Sequence, residues 1–441
     1  MEDRQPLHGG DIYRNDVRLD FSVNVDPLGP PEGVKTAYVN CAERLDCYPD
    51  PEVRRLRRAI GGLRGLEERQ VAAANGASAL LTAAFQAMRP RKVLIPVPSF
   101  YGYLHASESV RRAGAGGREG SPEPLPEAVR IRLREKEGFA FSEHTLFEIT
   151  RHPDADLLIL ANPNNPVGNL VPEELLVRTA VFCQANGIRM IVDESFLMIT
   201  PGGEESSMAR FLSSYPCLTV LSAFTKSFAI PSLRLGYMMS ADAAFLEAVR
   251  SMLPEWPVSL PAEECGLAAL NNMAYLSRAR AVIRRERQFL AGRLEELGMR
   301  TIPGSANFIL FSGPEGLYEE LLKRRILIRR CSNFEGLEET GASGSGTPGN
   351  GTSGSGTGGN EAAGTGAAGN EEPGSGKRAA WYRIAVRRRE ENESLAGALR
   401  EIAGGSRTGT AAAGSGAEES GSGTAAAGSG MDGSGSGATK K

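Results

Sequence analysis

Lys226 is the residue of this sequence best placed for covalent chemistry. It follows LTVL (218–221), an uninterrupted apolar run of the kind that forms a strand buried on both faces of a parallel sheet. Ligands of open α/β sheets bind at the carboxyl ends of such strands. A lysine at this position is partly desolvated, which lowers its pKa, so the neutral amine can react with a carbonyl carbon. The alternative is an ordinary solvated loop lysine.

Two other features have the composition of polar sites. Asp193 ends the apolar run IRMIVD (188–193). A buried carboxylate there can keep a nearby nitrogen base protonated, although it could also cap a helix or bind magnesium. Gly76, Ala77 and Ser78 open an Ala/Leu-rich helical pattern. Amides at a helix start can bind a phosphate, while a small-residue cap is the ordinary alternative.

A parallel sheet is needed to bring these residues together. Between positions 156 and 226, short apolar runs alternate with polar, helix-like stretches. This alternation predicts βαβ units with right-handed crossovers, and therefore an α/β fold with a mostly parallel sheet. KVLIPV (92–97) predicts a further strand, and LDFSVNV (19–25) also alternates like one.

The segment TKSFAIPSLRLGY (225–237) resembles the lysine motif of fold-type I pyridoxal-phosphate (PLP) enzymes, the class I/II aminotransferase superfamily. The resemblance implies that Lys226 binds PLP covalently and that Arg234 holds the PLP phosphate. A fixed fork of donors suits this phosphate because it is nearly a dianion. The motif DFSVNVDPLGPP (20–31) resembles one shared by threonine-phosphate decarboxylases and histidinol-phosphate aminotransferases.

The same resemblance implies further contacts with PLP. Asn165 would donate a hydrogen bond to the phenolic oxygen, Asp193 would keep the pyridine nitrogen protonated, and Phe100 would stack on the ring. Lys226 and Asp193 are thus the predicted catalytic residues. The remaining predicted cofactor contacts cluster around the phosphate: Gly76, Ala77, Ser78, Ser222, Thr225 and Tyr48. Tyr48 would come from the partner subunit, which predicts a homodimer with a shared active site.

Two arginine motifs indicate candidate substrate-binding residues. ILIRRCSNFEGL (326–337) and YRIAV (382–386) resemble motifs of the decarboxylase and aminotransferase group, and they single out Arg329 and Arg383. A substrate with both a carboxylate and a phosphate needs two separated cationic forks. The alternative is surface salt bridging. The motif HGG, with His8, resembles the decarboxylase branch more closely, and Asn24 completes the predicted substrate-binding set.

The chain departs from the family pattern at three positions. Ala223 stands where the family has a serine or threonine that touches the cofactor phosphate. Phe196 stands where aminotransferases often have a tyrosine, although the decarboxylase branch also has phenylalanine there. Ala79 replaces an acidic residue. These departures bear on cofactor affinity and substrate identity.

The sequence predicts an N-terminal arm and two folded domains. The arm (1–44) joins the small domain, the large PLP-binding domain spans 45–250, and the smaller α/β domain comprises 251–339 and 377–403. Residues 340–376 and 404–441 consist mainly of small and polar residues. Such stretches cannot bury enough apolar surface to offset their ordering entropy, so a disordered insert and a disordered tail are predicted.

The overall composition bears on binding partners, metal sites and cellular location. The chain has 441 residues, a net charge of -3 and 41% hydrophobic residues, a balance that gives no support for nucleic-acid binding. The six cysteines and four histidines are scattered, so neither a disulfide framework nor a metal site is predicted. The sequence has no signal-peptide core and no run of transmembrane length. We therefore expect a cytoplasmic protein with no membrane partner.

Three functions are compatible with these patterns. The first is a decarboxylase of L-threonine O-3-phosphate in corrinoid (cobalamin) biosynthesis. The second is an aminotransferase of the histidinol-phosphate type. The third is a non-catalytic PLP-fold binding protein with the low-complexity segments as tethers, although such a protein would not need both Lys226 and Asp193.

Overall fold

The computed structural model describes residues 9–114, 126–337 and 379–408. His8, the predicted insert (340–376) and most of the predicted tail lie outside these ranges. The chain divides into two compact units, Met1–Arg400 and Glu401–Lys441, and the fold and site below belong to the first.

The strands, in chain order, are β1 (Leu19–Asp20), β2 (Val71–Asn75), β3 (Lys92–Val97), β4 (Glu127–Arg132), β5 (Leu157–Ala161), β6 (Arg189–Asp193), β7 (Leu218–Ala223), β8 (Leu235–Ser240), β9 (Arg300–Thr301), β10 (Phe308–Pro314), β11 (Ile326–Leu327), β12 (Arg329–Arg330) and β13 (Ala379–Ala385).

The helices are α1 (Glu32–Asn40), α2 (Arg54–Arg64), α3 (Ala77–Met88), α4 (Gly102–Gly114), α5 (Glu143–Thr150), α6 (Glu173–Ala185), α7 (Phe224–Ser227), α8 (Ala243–Ser251), α9 (Leu260–Leu270), α10 (Ala274–Glu296), α11 (Leu317–Lys323) and α12 (Arg389–Thr408). Helix α12 extends into the start of the predicted tail.

The main sheet has seven strands in the order β2-β8-β7-β6-β5-β3-β4. Strands β7, β6, β5, β3 and β4 pair in parallel, whereas β8 runs antiparallel to both of its neighbours. This confirms the predicted α/β fold with a mostly parallel sheet. Strand β4 lies in a polar stretch for which no strand is predicted.

Apolar layers cover both faces of this sheet. Successive side chains of a strand point to opposite faces. In β5, Leu157 and Ile159 pack into one buried cluster, while Leu158 and Leu160 pack into another. A strand covered on both sides needs apolar residues at every position, which is why β5, β6 and β7 are uninterrupted apolar runs.

Two smaller sheets lie outside the main one. An antiparallel sheet has the order β12-β13-β10-β9, and β1 pairs in parallel with β11. These sheets contain the segments assigned to the smaller domain. The domain boundaries themselves stay a prediction.

The predicted strand over 19–25 is wrong beyond its first two residues, because its backbone groups bond to several different elements. Phe21 N–H donates to Leu327 O (2.7 Å), and Ala385 N–H donates to Phe21 O (2.8 Å). Further along the arm, Asp26 N–H donates to Lys226 O (3.0 Å). The arm therefore ties the small sheets to the turn that carries Lys226.

Asp26→Asn is expected to stabilise the protein at neutral pH. Burial raises the pKa of Asp26 from 3.8 to about 6, although Leu28 N–H donates to its carboxylate (2.9 Å). Between about pH 4 and pH 6, the Asp26 carboxyl is therefore largely protonated in the native state and largely ionised in the unfolded state. Stability falls as pH rises from about 4 to about 6 and stays lower above that range. Asparagine has no charge to desolvate, so we expect a gain of up to about 3 kcal/mol at neutral pH.

Denaturant unfolding near pH 4.5 and near pH 7 would measure this effect. The gain should be smaller at the lower pH, where Asp26 is largely protonated in the native protein. Replacement of the exposed Asp46 by asparagine is the control. An equal gain at both pH values would contradict the argument.

Candidate active site

The site lies at one edge of the main sheet. Because β3, β5, β6 and β7 are parallel, the residues that follow them meet at this edge. Phe100, Asn165 and Lys226 follow β3, β5 and β7, and Asp193 is the last residue of β6. Strand β8 runs in the opposite direction, so it begins at the same edge, and Arg234 immediately precedes it.

A cavity of about 350 Å³ opens at this edge. Most of the sequence-predicted site residues line it: Asn24, Ala77, Ser78, Phe100, Asn165, Asp193, Thr225, Lys226, Arg234, Arg329 and Arg383. Gly76 lies directly beside it, whereas Ser222 and Tyr48 line other grooves.

Lys226 is held in short helix α7, directly after the buried strand β7. Burial lowers the pKa of its amine to about 8, and the positive charges of Arg383 and Arg234 act in the same direction. The Nζ atom lies 5.9 Å from the ring centroid of Phe196. A substantial fraction of this amine is therefore neutral at physiological pH and available as a nucleophile or a base.

Asp193, 8% exposed, is the only acidic residue among those lining the described cavity. The Tyr103 hydroxyl donates to its Oδ2 atom and Ser195 N–H donates to Oδ1, each at 2.9 Å. Burial raises the pKa of Asp193, and the two hydrogen bonds oppose this shift. The carboxylate is therefore fixed in orientation, and a cationic partner in the cavity would stabilise its charge.

Gly76 and Arg234 form a cradle for an anion. Gly76 has φ +83°, and a Cβ atom there would lie 2.7 Å from Arg234 Nη2. The missing side chain lets the guanidinium lie against the start of α3, where Ala77 and Ser78 face the cavity. A helix start and an arginine fork together suit a phosphate.

Arg383 is buried and held from several sides. Its guanidinium donates to Asn165 Oδ1 and to Ser22 O, the latter at 3.0 Å. With its amide oxygen turned towards Arg383, Asn24 accepts from Nε and Nη1, each at 3.2 Å. Burial lowers the pKa of Arg383 to about 10. These contacts preorganise the arginine and also position Asn165 and Asn24.

Arg329 lies directly opposite Arg383 in the register of β12 and β13. Both side chains are buried, at 5% and 6% exposure, and both line the cavity. Arg329 also donates to Asn333 Oδ1 (2.9 Å). Like charges at directly opposite positions of an antiparallel pair are destabilising. An anion between or beside the two guanidiniums would offset that cost.

Tyr48 does not line the cavity of its own chain. It is 80% exposed, stacks on Trp256 with ring centroids 4.8 Å apart, and lines a neighbouring groove that Arg234 also borders. Ser222 is buried behind the cavity wall. His8 lies outside the described residues, although Gly9, the next residue, lines the cavity.

Sequence reasoning missed several residues that shape the site. Tyr103 lies three positions after Phe100, and its ring packs edge-on against Phe100 with centroids 5.6 Å apart. Gly9 is required because a Cβ atom there would lie 2.3 Å from Ser22 O, the carbonyl that binds Arg383. The aromatic spacing was visible in SFYGY, but nothing local pointed to a partner for Tyr103.

Comparison with known proteins defines the class of enzyme. The family model for aminotransferase class I and II matches residues 18–342, and the chain belongs to this family. It is therefore a PLP-dependent enzyme of the class that includes decarboxylases and aminotransferases.

Proteins similar to this chain include both decarboxylases and aminotransferases. The chain is 29% identical to threonine-phosphate decarboxylase of Salmonella typhimurium, over 90% of this chain and 96% of that protein. It is 27% identical to histidinol-phosphate aminotransferase 2 of Archaeoglobus fulgidus, over 72% and 86% of the two chains. The solved histidinol-phosphate aminotransferase from Clostridium acetobutylicum superposes with a TM-score of 0.70 at 25% identity, covering 88% and 99% of the two chains.

The residues at the cavity fit PLP. Lys226 offers a buried amine of lowered pKa, Asp193 an oriented carboxylate, and Phe100 an aromatic face. The cradle formed by Gly76 and Arg234 has the chemistry that a phosphate requires. These roles stay predictions for each residue.

Ala223→Ser is expected to tighten PLP binding. Ala223 ends β7, is buried, and lines the cavity beside Thr225. A hydroxyl here adds one donor near the proposed phosphate cradle, so we expect about 1 kcal/mol of added affinity. PLP dissociation, followed by absorbance, measures it, and Ala185→Ser, at an exposed residue that ends α6, is the control. An unchanged dissociation constant would mean that Ser222 or Thr225 already fills this role.

Proposed function

We propose that this chain is a PLP-dependent decarboxylase of L-threonine O-3-phosphate that acts in corrinoid side-chain synthesis. The observation that carries the proposal is the pair of buried arginines, Arg329 and Arg383, on one wall of the cavity. A substrate with a carboxylate and a phosphate supplies two anions for these two cations. The similarity to the Salmonella decarboxylase over nearly the whole of both chains supports the same reaction.

The proposed role of Arg383 is to bind the substrate carboxylate, because its guanidinium is fixed by Asn165, Asn24 and Ser22. Arg329, together with His8, is the proposed phosphate site, and Asn24, which contacts Arg383, completes the proposed substrate-binding set. PLP, when bound, supplies an electron-withdrawing ring that takes up the electron pair of a bond broken at the substrate α-carbon.

Which bond of the substrate α-carbon breaks would depend on how the residues of the cavity orient the substrate. The residue that anchors the carboxylate therefore selects between loss of carbon dioxide and loss of the α-proton. When the bond to the carboxylate carbon breaks, carbon dioxide leaves and a proton must take its place. Lys226 Nζ, whose pKa burial lowers to about 8, is the proposed donor of that proton to the α-carbon.

A pair of assays tests the reaction. Purified enzyme is supplied with L-threonine O-3-phosphate, and carbon dioxide release is followed. In parallel, histidinol phosphate and 2-oxoglutarate are supplied, and glutamate is measured. We expect carbon dioxide without any keto acid requirement. Glutamate formation without carbon dioxide would overturn the decarboxylase proposal and favour the aminotransferase, which the similarity to the Archaeoglobus enzyme supports.

We also propose that the enzyme is a homodimer in which Tyr48 reaches the PLP phosphate of the partner subunit. Exposed apolar side chains, including Leu45, Tyr48 and Trp256, border the groove beside Arg234. Sedimentation velocity should therefore show a dimer. Tyr48→Phe should weaken PLP binding without dissociating the dimer. A monomer that binds PLP with undiminished affinity would contradict this arrangement.

None of the helices within the described ranges is long and apolar enough to cross a membrane. A cytoplasmic location stays a prediction of the sequence, in keeping with six unpaired cysteines.

A further inference from the structure

A second groove, of about 360 Å³, lies apart from the cavity of Lys226. It is bounded by helix α10, the helical turn Leu197–Ile199, and the segment Thr301–Ser305. Its volume falls in the range of about 300–1,000 Å³ typical of small-molecule sites. None of the residues that line it also lines the cavity of Lys226.

Three arginines of α10 line this groove. Arg280, Arg284 and Arg287 are spaced by four and three residues, so they project from one face of the helix. Within the described residues, none of the three forms a salt bridge with a carboxylate. In contrast, Arg285 and Arg293 of the same helix pair with Glu286 and Glu296, at 2.9 and 2.6 Å.

Two of these arginines, Arg280 and Arg287, donate to backbone carbonyls, whereas Arg284 is exposed. Arg280 Nε donates to Leu276 O (3.3 Å). Arg287 donates to Phe308 O and to Ile302 O, the latter at 3.2 Å. Burial lowers the pKa of Arg287 to about 10, and no nearby carboxylate opposes the shift. A partly buried guanidinium without a counter-ion is costly, so an anion in the groove would be stabilising.

The groove carries an excess of positive charge. Glu295 is the one acidic residue among its described lining residues, and its Oε1 atom accepts a hydrogen bond from Thr301 (2.6 Å). Three guanidiniums against one carboxylate leave two positive charges. A phosphate monoester carries close to two negative charges at neutral pH, because its second pKa is about 6.

The walls of the groove are apolar and fixed. Ile199, Ile283 and Ile302 line it beside the arginines. The segment that carries Ile302 is anchored because Ser305 N–H and Ala306 N–H both donate to Gly168 O, at 2.7 and 3.1 Å. A ligand with an organic group as well as an anion would therefore find a preformed apolar surface.

We propose that this groove is a second binding site for a small phosphate monoester with an apolar or aromatic organic group. The phosphate would lie between Arg280 and Arg284, with the organic group on the isoleucines. The Arg280 guanidinium lies against Gly203, where a Cβ atom would be only 3.0 Å away, so its position is confined on that side.

Calorimetric titration of the PLP-loaded enzyme with phenyl phosphate tests the proposal. The active site also has the chemistry to bind a phosphate, so two classes of site are expected in the unmodified protein. Arg284→Gln should weaken one class at least about tenfold, and the double variant Arg280→Gln/Arg284→Gln should abolish it. Inorganic phosphate, which lacks the organic group, should bind this class more weakly than phenyl phosphate does.

Arg278→Gln is the matched control, because Arg278 is an exposed arginine of the same helix that does not line the groove. It should leave both classes unchanged. Arg284→Lys, which keeps the charge, should retain part of the affinity, and an unchanged active-site class in Arg284→Gln shows that this variant is folded. A single class of site, an unchanged Arg284→Gln variant, or an equal loss in Arg278→Gln would overturn the proposal. Binding is measured without turnover, so the result is independent of which reaction the enzyme catalyses.

Discussion

Lys226→Ala is expected to lower turnover by about 10⁴-fold or more, because in the proposed mechanism one amine would serve as the covalent attachment point and as the proton carrier. The side chain is nearly enclosed by the cavity, and Arg383 and Arg234 both act to lower its pKa. Among the described residues that line this cavity, it is the only lysine. Another lysine is therefore not placed to replace it.

Steady-state assays and borohydride reduction measure the two losses separately. The variant should lose both turnover and the borohydride-reducible link to PLP. Lys323→Ala, which removes an exposed lysine paired with Glu320, should behave like the unmodified protein. Turnover that persists in Lys226→Ala would remove the central claim about this site.

Asp193→Asn is expected to cost about 10²–10³-fold in turnover, the scale of removing one preorganised electrostatic group. The substitution keeps the shape of the side chain but removes the one negative charge among the described residues that line the cavity, whose cationic residues are Lys226, Arg234, Arg329 and Arg383. Without that charge, a nitrogen base in the cavity holds its proton less tightly. Turnover should fall whether the bond to the carboxylate or to the α-proton is broken.

Tyr103→Phe provides a graded comparison. It leaves the charge of Asp193 in place and removes one hydrogen bond of 2.9 Å. The expected loss of turnover is smaller than in Asp193→Asn. It corresponds to about 1.5–3 kcal/mol of activation free energy, the scale of one hydrogen bond to a charged group. Full activity in Asp193→Asn, or a larger loss of turnover in Tyr103→Phe than in Asp193→Asn, would contradict the roles proposed for these two residues.

The sequence alone determined the fold class and the residues at the strand ends. Asn165, Asp193 and Lys226 each follow an apolar run that is long and uninterrupted enough to be a buried parallel strand. Each apolar run can be recognised from local sequence alone. Because parallel strands present their carboxyl ends at one edge of the sheet, the residues at the ends of these runs can then be placed at that edge. The family resemblance then added the arginines and the phosphate turn.

The tertiary structure decided which of these residues contact one another. Tyr103 bonds to Asp193 across 90 positions of sequence, and Arg383 bonds to Asn165 across 218. The segment 19–25 looked like a strand, yet Phe21 bonds to both β11 and β13, and the next residue of the arm, Asp26, bonds to Lys226 O. Such pairings follow from strand order and register, which no local pattern encodes.

The pairing of Arg329 with Arg383 shows the same limit. Each arginine was recognisable within its own short motif, but their direct opposition depends on the register between β12 and β13. Tyr48 lines a groove outside the cavity of its own chain, and its predicted contact with the cofactor of a partner subunit stays a prediction. Local patterns specify burial and secondary structure, whereas the relative positions of distant side chains are set only when the sheets assemble and their strands pair.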